Sequence, residues 1–195
     1  KLEGDFAAAD FSVTNHAFGG SINYAHTTNG TSGDDVLPGT AGNDLVYGGD
    51  GSDDIGSSIN SGNDTIYGGA GDDFINGGGG NDQMYGDAGN DYFHISTGEG
   101  NDTIDGGSDY DTVTFALFDF TNPVTFSLSG TGTQVNPVTG QVTVMTGIEQ
   151  IDIIGGFKGD TLTGDAGRNA IQALAGDDTM TGNGGADTFI IAGDS

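Results

Sequence analysis

Aspartate recurs along this chain at an interval too regular to be a scatter of solvated surface charges. It stands at Asp35, Asp44, Asp53, Asp64, Asp73, Asp82, Asp91, Asp102 and Asp111, and again at Asp160, Asp178 and Asp187, with Asn169 in the one remaining place. Nine residues separate most neighbours, while eleven separate Asp53 from Asp64 and Asp91 from Asp102. Carboxylates repeated in this way offer hard oxygen ligands. Cysteine is absent, which removes thiolate metal sites and disulfides. A cation taking six to eight oxygens at about 2.3–2.6 Å suits such donors, and that is calcium chemistry. Magnesium would require a stricter octahedron, and zinc would favour His or Cys.

Other chemistry has little support. Asp34/Asp35, Asp72/Asp73 and Asp177/Asp178 are adjacent carboxylates of the kind used in acid–base catalysis, but their place in a repeated turn accounts for them. His16, His26 and His94 lack metal-ligand spacing, and His94 is expected on the solvent face. Neither an HExxH motif nor a GxSxG elbow occurs. The expected catalytic set is empty: this is a non-catalytic module, whatever activity its parent protein has.

Composition agrees with a role for bound metal. The chain has 195 residues, 29 acids against three basic residues, and a formal net charge of −26. Neutralising nucleic-acid phosphates takes clusters of Lys and Arg, which are missing. Something cationic must instead screen the carboxylates. Only Glu3, Glu99 and Glu149 are glutamates, so the acid excess is of the turn-forming kind. No run is long enough to span a bilayer. The chain starts with Lys, as expected of a fragment or a processed piece, and no signal peptide is evident.

The elements that hold the aspartates follow from the repeat. Thirteen nonapeptide blocks run from GTSGDDVLP (30–38) to GGSDYDTVT (106–114), and from GGFKGDTLT (155–163) to GNGGADTFI (182–190). In each, the sixth place holds the Asp or Asn and the eighth is apolar. Six glycine-rich residues make a turn, because glycine readily takes positive φ. Three residues then make a short strand whose middle side chain points inward. Two blocks complete a coil, so blocks n and n+2 stack at the strand spacing of about 4.8 Å. The fold expected is all-β: a parallel β-roll, or right-handed β-helix, with an inserted section of longer strands.

Stacking sets sixth-place side chains in pairs. The expected pairs are Asp35/Asp53, Asp44/Asp64, Asp53/Asp73, Asp64/Asp82, Asp73/Asp91, Asp82/Asp102, Asp91/Asp111, Asp160/Asp178 and Asn169/Asp187. Each would bind one calcium ion, giving up to nine. Backbone carbonyls of the turn glycines would complete the shell, among them Gly48, Gly49, Gly51, Gly68, Gly69, Gly71, Gly77, Gly78, Gly80, Gly86 and Gly89. The weakest sites should be those touching Asn169, Arg168, Asp109 and Lys158, with distortion beside the two insertions.

Four sections are expected. Residues 1–29 either cap the roll or end a preceding domain, 30–114 form the first array, 115–154 form longer strands continuing the roll, and 155–195 form the second array. A loop is placed around 129–141. Tyr47, Tyr67 and Tyr85 should stack on one sheet, as a supporting ladder or as a platform for sugar rings or a neighbouring domain.

The consensus Gly-Gly-x-Gly-x-Asp-x-apolar-x, carried by about 117 of the 195 residues, resembles the nonapeptide of RTX (repeats-in-toxin, haemolysin-type) proteins. That resemblance implies a β-roll with calcium in its turns and type I secretion to the extracellular space or cell surface. The expected function is a calcium-binding module that folds on Ca2+ after export and stabilises or docks a larger secreted protein. The alternatives are a calcium-dependent adhesin or surface-layer segment, or a substrate-docking module of a polysaccharide-modifying enzyme (alginate epimerase-like) or protease. The partners are calcium, a neighbouring domain, or a polysaccharide.

Overall fold

Seven of the strands in the computed structural model, which describes residues 26–56, 61–96, 100–117, 122–128, 133–135 and 142–191, build one wall of a roll. These are β1 (His26–Asn29), β3 (Asp44–Asp50), β5 (Thr65–Ala70), β7 (Gln83–Ala88), β9 (Thr103–Ser108) and β13 (Val142–Thr146) in parallel, closed by antiparallel β12 (Thr133–Val135). The opposite wall is wholly parallel: β2 (Val36–Leu37), β4 (Asp54–Ile55), β6 (Phe74–Ile75), β8 (Tyr92–Ser96), β10 (Thr112–Ala116), β14 (Gln150–Ile154), β16 (Arg168–Ala173) and β18 (Thr188–Ile191). A third parallel sheet joins β11 (Thr125–Ser127), β15 (Thr161–Thr163) and β17 (Thr179–Thr181). The protein is an all-β parallel roll, as the nonapeptide predicts, and no helix occurs among the described residues.

Period-nine sequence makes this shape because a turn and a short strand together cover one side of the coil. Blocks n and n+2 pair directly: Ile66 lies opposite Met84, and Ile55 opposite Ile75. Strands on the first wall are longer than the three residues expected. They run on into the next block, where Gly49 pairs with Gly69 and Asp50 with Ala70.

The eighth-place residues fill the interior. Leu37, Ile55, Ile75, Phe93 and Val113 form one column, and Val46, Ile66, Met84 and Ile104 the other, all at most 8 % exposed. Phe189 departs from the expected pattern. It stands at an eighth place but is 47 % exposed, because among the described strands β18 is the edge of its wall and pairs with β16 alone.

The longer strands solve a problem of phase. Val113 pairs with Ile151, which continues the first array's column, but Ile151 then meets Asn169. The second array's column runs instead from Phe115 through Ile153 to Ile171. β14 points both isoleucines inward, at 3 % and 0 % exposure, and so carries both registers, two residues apart. Of the loop placed around 129–141, residues 129–132 and 136–141 lie outside the described residues, as do 1–25 of the N-terminal cap and His16.

Phe93→Ala should remove about 3–5 kcal/mol of stability, the range for emptying a buried aromatic site. Phe189→Ala should stay within about 0.5 kcal/mol, as surface changes do. Urea unfolding at saturating divalent cation checks both. Equal losses would contradict the exposed edge.

Candidate metal centre

Strand pairing delivers the sixth-place residues to the two edges of the roll, most of them one residue before a strand, with Asp44 opening β3 and Asn169 inside β16. All nine expected pairs are brought together, through one recurring hydrogen bond. The backbone N–H of the lower residue donates to Oδ1 of the upper: Asp35 to Asp53 at 2.8 Å, Asp44 to Asp64 at 2.9 Å, and Asp53 to Asp73 at 2.8 Å. Asp64 donates likewise to Asp82 at 2.8 Å, Asp73 to Asp91 at 2.9 Å, Asp82 to Asp102 at 3.0 Å, and Asp91 to Asp111 at 2.8 Å. In the second array Asp160 donates to Asp178 at 2.8 Å and Asn169 to Asp187 at 3.1 Å. The insertions do not distort this row. Pairs 20 residues apart match pairs 18 apart, and the second insertion, Ile95 and Ser96, extends β8 at the end away from Asp91. One carboxylate oxygen is therefore held by the fold itself.

The second oxygen divides the turns into two kinds. In turns 30–35, 39–44 and 155–160, the second-place N–H of Thr31, Thr40 and Gly156 donates to Oδ2 of Asp35, Asp44 and Asp160, each at 2.6 Å. In turn 164–169, Asp165 N–H donates to Asn169 Oδ1 at 2.9 Å. No residue at the second or fourth place of these four turns has positive φ. They are self-bonded, and they are the first turns of the two arrays.

In four other turns both places are left-handed. The residues are Gly49 and Gly51 (φ 117° and 115°), Gly69 and Gly71 (115° and 128°), Asp87 and Gly89 (72° and 138°), and Gly107 and Asp109 (105° and 83°). Gly78 and Gly80 (75° and 147°) and Asn183 and Gly185 (70° and 89°) are left-handed as well. In the first four, Oδ2 of Asp53, Asp73, Asp91 and Asp111 is buried without a hydrogen-bond partner. These four carboxylates form one column beside the second wall.

Glycine serves two purposes here. Positive φ accounts for Gly49, Gly51 and their equivalents. Gly48, Gly68, Gly77 and Gly86 have ordinary φ and are required by crowding. A Cβ on Gly48 would collide with both Asp53 Oδ2 and the Gly68 carbonyl, and one on Gly86 with Asp91 Oδ2 and the Gly106 carbonyl. Second- and fourth-place carbonyls face the next layer too, since a Cβ on Gly69 would strike Gly49 O and one on Gly71 would strike Gly51 O. Each of those four turns thus gathers carbonyl oxygens and a carboxylate oxygen that has no hydrogen-bond partner. That donor set fits a hard cation with a mostly oxygen shell. No group of three or more acids or histidines converges among the described residues, so carbonyls and water would supply the remaining ligands.

Burial works against charge at these carboxyls. It is the largest cause lifting Asp73 and Asp102 from 3.8 to about 6 and Asp91 to about 7, and it raises Asp64 and Asp111 as well. Neighbouring acids push the same way at Asp73, Asp91 and Asp111, opposed by the backbone hydrogen bond.

Sequence reasoning missed two features. Fifth-place side chains form their own ladder: Asn63, Asn81 and Asn101 N–H each donate to the Asn Oδ1 one layer below, at 2.9, 2.8 and 2.8 Å. Asn recurring at the fifth place of the blocks was the available signal. Glu149 was also missed, although it stands in register with the sixth-place row and accepts Asp111 N–H at 2.9 Å. His94 is half-buried and bonded to Ser96 at 3.0 Å, not fully on the solvent face as expected. Burial lowers its pKa. The tyrosines do stack: Tyr47 on Tyr67 at 5.1 Å and Tyr67 on Tyr85 at 4.8 Å, with ring planes nearly parallel.

Stacked parallel coils with carbonyl- and carboxylate-lined turns define a cation-binding β-roll. The family model for the RTX calcium-binding nonapeptide repeat matches four stretches, residues 29–57, 58–93, 94–113 and 154–189, together more than half of the chain. The chain belongs to that family and is a calcium-binding repeat module. No curated protein matches it.

Carboxyls whose pKa is higher in the fold than in the open chain favour the folded state when protonated. The metal-free roll should therefore be most stable below about pH 4 and lose stability as pH rises towards 7. Circular dichroism of metal-stripped protein between pH 4 and 8 checks this sign; a strand signal growing with pH would contradict it.

Proposed function

We propose that calcium is held by the sixth-place aspartates and turn carbonyls, and that this binding drives folding of the roll. The four buried Oδ2 atoms of Asp53, Asp73, Asp91 and Asp111, lacking any donor, carry this reading. Calcium supplies the positive charge that the chain's three basic residues cannot. The residues do the rest: Oδ1 staples each layer to the one below, Oδ2 and the carbonyls face the gap, and the apolar columns close behind them. Metal binding and folding are then one equilibrium.

Two grades of site follow from the two kinds of turn. Sites above Asp53, Asp73 and Asp91 have an oxygen ready. Those above Asp35, Asp44, Asp160 and Asn169 must first give up an internal hydrogen bond and are weaker.

The setting that suits this switch is export. With little calcium the −26 chain stays extended enough for a type I channel. Outside, at the millimolar level typical of extracellular sites, it folds and stabilises or docks a neighbouring domain of a secreted protein, itself taking no part in catalysis. A lattice or adhesin segment is the second reading, favoured by Phe189, Ile190 and Ile191 exposed on edge strand β18. Light scattering on calcium addition separates the two, a monomer supporting the module.

Titration with calcium, followed by circular dichroism with magnesium as control, should show cooperative gain of strand signal for calcium alone. Asp73→Asn should shift the midpoint upward roughly tenfold, about 1.4 kcal/mol, and Asp35→Asn less than about twofold. Full strand content after chelation at pH 7.5, or equal shifts for both variants, would refute the assignment.

A further inference from the structure

We propose that Asp111 and Glu149 hold an additional calcium ion where the first array meets the longer strands, at a site whose upper half lies outside every nonapeptide. The inference rests on the calcium reading of the ordinary turns and extends it to a glutamate that the repeat pattern does not mark.

Register places the two side by side. Thr112 pairs with Gln150, so Glu149 stands above Asp111 as Asp111 stands above Asp91. The hydrogen bond is the same: Asp111 N–H donates to Glu149 Oε2 at 2.9 Å, where Asp91 N–H donates to Asp111 Oδ1 at 2.8 Å. Asp111 is 0 % exposed and its Oδ2 has no partner.

The carbonyls repeat the pattern as well. A Cβ on Gly106 would collide with the Gly147 carbonyl and lie 2.5 Å from Asp111 Oδ2, the same pair of oxygens that bars a side chain from Gly48. A Gly147 Cβ would stand 3.0 Å from Gly107 N and 3.4 Å from the Gly107 carbonyl. Asp111 Oδ2, the Glu149 carboxylate, Gly147 O and Gly107 O are therefore the donors, with water reaching the exposed side of Glu149.

Glutamate is the acid this geometry requires. Five residues separate Gly68 from Asp73, but only two separate Gly147 from Glu149. The turn is cut short, and one more methylene lets the carboxylate reach the row.

Bound calcium is counted by equilibrium dialysis just above saturation for the parent, Asp73→Asn and Glu149→Gln, with circular dichroism verifying the fold. Gln keeps the oxygen that accepts Asp111 N–H. Glu149→Gln should bind one ion fewer, as should Asp73→Asn. An unchanged count for Glu149→Gln beside a reduced one for Asp73→Asn overturns this site alone. Unchanged counts for both, or no calcium on the parent, overturn it together with the reading it rests on. If Glu149→Gln does not reach the parent's spectrum, terbium luminescence decides. Tyr110 precedes Asp111 and its hydroxyl bonds Gln150 Oε1 at 3.0 Å, and the chain has no Trp. Tyr110→Phe should lose one sensitised ion's emission; undiminished emission overturns the proposal.

Discussion

Acceptor crowding at the edges of the roll is the constraint on which the structure depends. Each coil brings carbonyls and a carboxylate into a gap so narrow that a methyl group on Gly48 or Gly86 would not fit. Desolvated acceptors without donors are costly, and a divalent cation is their natural complement. In the column of Asp53, Asp73, Asp91 and Asp111 the fold commits one oxygen of each carboxylate to an N–H of the layer below and leaves the other without a partner. The short strands of the first array add a thin core, one buried apolar residue from each of β4, β5, β6 and β7.

Much of this is legible in the sequence, because turn, strand and inward residue all obey one period. Thirteen blocks with a fixed sixth and eighth place determine the stacking, the two apolar columns and the pairing of aspartates. What stays hidden depends on the backbone rather than on residue type. Thr31, Thr40 and Lys158 resist left-handed φ, which explains three self-bonded turns. Asp165 does not resist it, and only its bond to Gly167 N–H at 2.8 Å shows why that turn closes. Asp87 and Asp109 take the left-handed conformation tolerated by short polar residues, so a missing glycine does not by itself mark a failed turn. Glu149 was invisible because register, not spacing, brings it beside Asp111.

Outer-face order follows from the same stacking. Any residue type that recurs at one place in alternate blocks becomes a ladder, whether or not it has a function. The Tyr47–Tyr67–Tyr85 stack and the Asn43–Asn63–Asn81–Asn101 row share a wall for that reason, while Phe74 and Tyr92 pair on the other at 5.6 Å. Each coil contacts chiefly the coils above and below, so stability is close to a sum of nearest-neighbour terms.

The double phase of β14 frees the two arrays from each other. Because one strand accepts both Val113-type and Ile171-type alignment, coils inserted or deleted on one side leave the alignment on the other untouched. Such a splice lets one half of the protein change length over evolutionary time, two blocks at a step, while its counterpart keeps every side chain on its original wall.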